Sequence, residues 1–234
     1  MTNEKYFSIW INPLQLLEVD EPWASNSEEI PSEKAILGFL CTPGIDSDLE
    51  SLISRYRDIS NEQKRLFAAP AESRILKKLV WPLRNAKACY IVGNYLGTIS
   101  LCGMVAEMVA LLLFEIADFT INGQPMTISN QKSLFGSPFE KLSQYRRVEI
   151  LRAYEIINDE SKDAFDLIRT RRRKYLHLWS QDHDTLPKDA VSIYNAAVSI
   201  VVNVIGQDIK DGKILLNPAL VKYLERSGKY LSED

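Results

Sequence analysis

The chain has 234 residues, 46% hydrophobic and 25% charged, an ordinary globular composition that excludes a disordered tail or a collagen-like fibre. Its formal net charge of −3 hides a split: residues 1–63 hold 12 acids and 4 bases, while residues 64–234 hold 24 bases and 19 acids. The basic part accommodates a polyanionic partner without demanding one. The three cysteines, Cys41, Cys89 and Cys102, form no CxxC pair, which argues against a zinc site or a disulfide framework and for a reducing, cytoplasmic setting.

The N-terminus, MTNEKYFSIWINPL, lacks the basic start and apolar run of a signal peptide. Alternation in KYFSIWIN suggests a short strand, a short helix is expected around 32–40, and CTPG at 41–44 reads as a turn. Asp46 is placed to cap a helix running to about Arg57, with Leu49, Leu52, Ile53 and Tyr56 on one face. Ser60 and Gln63 have capping-box spacing and are expected to start another helix. These acidic residues, 1–70, form an N-terminal and mainly helical extension. Residues 71–234 form the principal domain.

From Ala71 the helical period strengthens, with Ile75, Leu76, Leu79 and Val80 in one stripe and Pro82 as a break, kink or new start. Gly93 and Gly97 loosen a junction before a long apolar helix, expected over about Thr98 to Phe119. Residues 95–117 are apolar enough to span a bilayer. Glu107 sits at their centre, however, and a carboxylate at mid-bilayer costs at least about 2.5 kcal/mol. With no second span expected, the segment reads as a core helix wrapped by others and not as a membrane anchor. Asn122–Gly123 marks a turn, and 122 to about 137 reads as a long polar loop. Ser137 and Pro138 are expected to open a helix carrying Phe139, Leu142, Val148 and Leu151. Helices over about Asp159–Leu178 and 188–208, then an amphipathic stretch at 217–227, complete the chain. Strand alternation is not evident beyond the first dozen residues, so the fold class is all-α, a helical bundle.

The segment IRTRRRKYLHLW, residues 168–179, carries the candidate chemistry. Phe165, Ile168, Arg172, Tyr175 and Trp179 step by 3, 4, 3 and 4, which is one helix stripe. Arg172 therefore occupies a position where an apolar residue is expected. A guanidinium there needs a carboxylate, a carbonyl or a ligand anion, and Glu107 is the obvious partner. His177 lies on another stripe with Arg173, Arg169 and Asp166, about 140° from Arg172 at 100° per residue. A basic run is usually a solvated face, and a histidine beside aromatics is usually structural; both readings stay open at this point. His183, between Asp182 and Asp184, reads as part of a solvated turn.

The Arg172-x4-His177 spacing, on a late core helix followed by an acidic Pro-containing turn and an apolar helix, resembles the HEPN superfamily. GNYLGTISLCGMVAEMVALLLFEI, residues 93–116, is similar to that family's first long core helix, with its Tyr, small residues and central Glu. The resemblance covers roughly residues 72–210. It departs from the family at Arg173, where Asn is frequent, and at Leu178, where a small residue is frequent.

The resemblance implies an up-and-down bundle and metal-independent endoribonuclease or RNA-binding activity, with no cofactor. Arg172 would be the phosphate clamp and His177 the acid–base group. Arg169, Arg171 and Arg173 would hold RNA, with Glu107 and Tyr175 supporting. It further implies a homodimer whose two motifs face one cleft, and a bacterial toxin–antitoxin or antiviral context with an antitoxin or other regulatory protein as partner. The competing expectation is a non-catalytic interaction or nucleotide-binding module in which Arg172 and His177 are structural.

Overall fold

The computed structural model describes residues 49–60, 74–177, 182–206, 208–210 and 213–226. The expected N-terminal strand, the helix at 32–40, the turn at 41–44 and Asp46 lie outside the described residues, as do Leu178 and Trp179. The described residues form eight α-helices and two small hairpins, an all-α bundle.

Helices α2 (Arg74–Ile91), α3 (Tyr95–Ile116), α6 (Asp159–His177) and α7 (Leu186–Ile205) pack together as the core. Helix α1 (Leu49–Ser60) lies on α2, α5 (Gln144–Ala153) lies on α3 and α6, and α8 (Pro218–Arg226) lies on α3. The short α4 (Ile128–Phe135) lies in the connection between α3 and α5. The centre is built from Ile99, Val105 and Val109 of α3, Phe165 and Ile168 of α6, and Ile193 of α7, each at most 1% exposed.

Helix α3 begins at Tyr95, earlier than expected, because Asn94 caps it by accepting the Gly97 N–H at 2.8 Å. A β-carbon on Gly97 would lie 2.9 Å from that capping side chain. The glycine therefore makes room for the cap and does not loosen the helix. Two buried polar groups tie α2 to its neighbours. Thr98 Oγ1 of α3 donates to the Ala86 carbonyl at 3.0 Å, and Arg55 Nε of α1 donates to the Ile91 carbonyl at 2.6 Å.

Several expectations are corrected. Helix α1 turns Leu52, Arg55 and Ile59 inward, while Ile53 and Tyr56 are exposed. Leu52, Arg55 and Ile59 also form a 3–4 stripe, and it is Ile59 that reaches the core. Ser60 is the last residue of α1, and the helix expected to start from Ser60 and Gln63 lies outside the described residues. Pro82 lies inside an unbroken α2 with Trp81 exposed beside it; losing one N–H donor does not end a helix held by Leu79, Leu83, Ala86 and Tyr90 in the core. The presumed loop after residue 122 contains α4. Its capping box joins Thr127 and Asn130, and Gly136 closes it in the left-handed conformation. Residues 139–141 make only a 3-10 turn, and α5 starts at Gln144 with Ser143 as its cap.

Two antiparallel hairpins also occur where no strands were expected. β1 (Thr120–Ile121) pairs with β2 (Gln124–Pro125), and β3 (Asp208–Lys210) pairs with β4 (Lys213–Leu215). Asn122 and Gly123 both have positive φ, which is the twist a two-residue hairpin requires. Finally, α3 is not the sole span-length apolar helix: α7 also meets the length and composition of a membrane crossing. It is apolar on most sides because α2, α3 and α6 all pack on it, with 61% of its most apolar window buried in the bundle.

Candidate functional site

Helix α6 carries Arg172 and His177 on one continuous α-helical path. Its core stripe is Phe165, Ile168 and Tyr175, all buried, and Arg172 falls between the last two. The guanidinium does not enter the core. It crosses α3 at Gly103, where a β-carbon would lie 2.4 Å from Arg172 Cδ and 2.9 Å from its Nε. Beyond the crossing, Arg172 Nη1 donates to Glu107 Oε1, one turn further along α3. The side chains are 28% and 41% exposed, so the pair lies at the edge of the bundle. Arg172 Nε is covered and has no hydrogen-bond partner. Gly103 is what allows an arginine on a core-facing stripe to reach the surface.

His177 is the last residue of α6 and exposed, and its imidazole makes no hydrogen bond or ion pair among the described residues. Five residues separate it from Arg172, giving about 140° and about 7.5 Å along the axis. One α6 therefore directs the guanidinium toward α3 and the imidazole to solvent.

The other expected site residues divide by what holds them. Arg169 is paired within the helix: its Nη2 donates to Asp166 Oδ1 at 3.0 Å and its Nε at 3.3 Å. Asp166 also accepts Lys162 Nζ at 3.0 Å, and Lys162 reaches Glu149 of α5 at 3.2 Å. Burial raises the Asp166 pKa, but the hydrogen bonds from Lys162 and Arg169 outweigh it and hold the carboxyl below the usual range. The Arg169 guanidinium also sits over the Tyr145 ring, 5.2 Å from its centroid. Arg171 Nε faces Asp189 Oδ1 at 3.5 Å. Arg173 is exposed, and its guanidinium makes no hydrogen bond or ion pair among the described residues.

Tyr175 belongs to a polar node that sequence reading missed. The buried carboxylate of Asp189, near the start of α7, accepts Tyr175 Oη at 2.5 Å and Thr185 Oγ1 at 2.9 Å. Lys174 Nζ donates to Tyr175 Oη and to Thr185 Oγ1, each at 3.2 Å, and its hydrogen bond to Tyr175 raises its pKa. This node fixes the end of α6, and so His177, against the start of α7. An acid in the first turn of an apolar helix was the available signal, since it complements the helix dipole. Nothing in the linear sequence joined it to Tyr175. His183 lies in an exposed turn, its ring edge-on to Tyr175 at 5.4 Å. Among the described residues no three His, Cys, Asp or Glu side chains gather as a metal site.

The arrangement thus offers one anchored guanidinium at the bundle edge, one uncommitted imidazole at a helix end, and one uncommitted arginine between them in sequence. No protein-family model matches the chain, nor does any curated protein or solved structure.

Proposed function

We propose that the chain is a HEPN-like helical protein that binds RNA and cleaves it without a metal ion. The observation that carries this reading is Arg172, an arginine on a core-facing stripe, led across Gly103 to the edge of the bundle and held there by Glu107, five residues before an exposed His177 whose side chain has no partner among the described residues.

RNA supplies its own nucleophile. An imidazole takes the proton from the ribose 2′-OH as that oxygen attacks phosphorus. The 5′-oxygen leaves and is protonated, giving a 2′,3′-cyclic phosphate and a 5′-hydroxyl. A fixed guanidinium balances charge on the phosphoryl oxygens. His177 is the acid–base group and Arg172 the clamp, with Glu107 fixing its geometry. The divergence of about 140° within one helix is resolved in a two-fold dimer, where one protomer presents Arg172 and its partner presents His177 to the same phosphate. The same resemblance gives the context: a cytoplasmic bacterial toxin or antiviral module restrained by an antitoxin or other regulatory protein.

A second reading, a non-catalytic interaction or nucleotide-binding module, is favoured by the Arg172–Glu107 pair itself. A carboxylate already occupies the guanidinium, as Asp166 and Asp189 occupy Arg169 and Arg171. Incubation of purified protein with mixed RNA in EDTA separates the two. Cleavage that His177→Ala abolishes, with the urea unfolding midpoint unchanged, is the outcome expected for the nuclease. Intact RNA at micromolar protein assigns the module.

A further inference from the structure

The aromatic beside the basic stripe has a use that neither reading assigns. Tyr145, in the first turn of α5, is 48% exposed. The Arg169 guanidinium lies over the Tyr145 ring and donates two hydrogen bonds to Asp166 Oδ1. Nearly half of the Tyr145 surface remains accessible beside that cation. A ring that already packs against a cation has less side-chain entropy left to lose when something stacks on it.

The surroundings are cationic. Arg169 and Arg173 are one turn apart on α6, and His177 follows one turn later, so the stripe runs about 12 Å along the helix. Arg173, and Arg146 next to Tyr145, are exposed, and their guanidinium groups make no hydrogen bond or ion pair among the described residues. The nearby carboxylates, Asp166 and Glu149, are engaged by Lys162 and Arg169. Uncommitted arginines flanking an open aromatic face combine the two elements that hold unpaired nucleic acid: charge for the backbone and a π-face for a base.

We infer that Tyr145 is a base-stacking subsite, holding one unpaired base of an RNA strand whose backbone runs past Arg173 toward His177. Arg169 serves this site by orienting Tyr145, not by clamping phosphate. A duplex, whose bases stack on one another, cannot offer a base to the ring, so the subsite selects single strands.

The inference rests on the RNA reading above, and one experiment separates their failures. The probe is a fluorescein-labelled, 2′-O-methylated and therefore uncleavable single strand of about 12 nucleotides, within the range of single-strand site sizes. It is titrated with full-length protein by anisotropy, beside the same strand annealed to its complement. Tyr145→Leu is expected to weaken single-strand binding roughly 5- to 150-fold, the range of one lost stack. Tyr145→Phe is expected to bind within about twofold of wild type, because the π-face and not the hydroxyl makes the stack. Urea midpoints establish that each variant is folded. Wild-type protein that binds neither probe overturns the RNA reading together with this one. Wild-type protein that binds the strand while Tyr145→Leu binds it equally well overturns the subsite alone. A Tyr145→Leu variant with unchanged RNA affinity but an altered sedimentation coefficient assigns the ring to contact with a second copy instead.

Discussion

Replacing Gly103 with alanine separates two physical effects of opposite sign. In an ordinary helix interior the change is favourable by about 1 kcal/mol, because alanine has less backbone entropy to lose. Here the new β-carbon would lie 2.4 Å from Arg172 Cδ and 2.9 Å from Nε, closer than atoms can approach. If Arg172 stayed in place, overpacking would cost about 1–3 kcal/mol. Arg172 is long and 28% exposed, however, so it can swing away. Leaving Glu107, which is 41% exposed, forfeits a solvent-screened ion pair, about 1 kcal/mol or less. The favourable and unfavourable changes nearly cancel, so Gly103→Ala is expected to alter stability by less than about 1 kcal/mol, or about 4 °C in Tm. The consequence lies in the pairing. In wild type Glu107→Gln costs about 0.5 kcal/mol, whereas in the Gly103→Ala background it costs nothing, because the pair is already broken. Urea unfolding of the four proteins measures the coupling. NMR of the Arg172 Nε–H, covered in wild type, reports its exposure in the variant. A Gly103→Ala protein stabilised by a full 1 kcal/mol, with the Glu107→Gln effect undiminished, would refute the crossing of α3 by Arg172.

Asp189→Asn is expected to destabilise the protein by about 2 kcal/mol, since a buried carboxylate that accepts Tyr175 and Thr185 and faces Arg171 and Lys174 is replaced by a neutral amide; a thermal melt within 1 °C of wild type would contradict the node. Tyr223 is pushed up to about 12 by burial and by its hydrogen bond to Glu115. Its folded pKa lies above the unfolded value of about 10, so its contribution is complete below about pH 10 and is lost as pH rises toward 12. Urea midpoints over that interval should fall less steeply for Tyr223→Phe than for wild type, with a residual slope from Tyr90, also raised to about 12. Equal slopes would exclude the Tyr223–Glu115 contact.

The bundle was legible where periodicity was long and apolar. Helix α6 appears within a residue of its expected bounds, and the pairing of Arg172 with Glu107 followed from a charge breaking a core stripe and the one carboxylate centred in the most apolar helix. Short-range chemistry was read less well, because one residue type serves opposite ends of an element. Gly97 looked like a loosened junction and is the space for a cap. The capping box of α4 uses Asn130 in place of Glu or Gln, which concealed it. The second hairpin carried an Asp211–Gly212 dipeptide, a turn signal overlooked beside three-residue strands too short to alternate visibly. The Asp189 node was illegible for a different reason: Tyr175 and Asp189 are fourteen residues apart and meet only once two helices pack.

The packing of carboxylates sorts the basic run into cations with different availability. Asp166 holds Arg169, Asp189 lies against Arg171 and Lys174, and Glu107 holds Arg172, leaving the Arg173 and His177 side chains without a partner among the described residues. Any polyanion approaching this run would meet Arg173 and His177 first, in an exposed setting where salt screens charges beyond about 8 Å. The committed cations can join only by exchanging a carboxylate for a phosphate, and the three carboxylates differ in what that exchange costs. The Asp189 side chain is 11% exposed and also receives Tyr175 and Thr185, so removing its cation would leave a charge nearly out of water. Glu107, 41% exposed and given no other side-chain hydrogen bond among the described residues, can be released into solvent at little cost. Of the arginines with a carboxylate partner near the helix end, Arg172 is thus the one whose partner is exchangeable. The burial of the partner, more than that of the arginine, decides which guanidinium in the run can take up a phosphate.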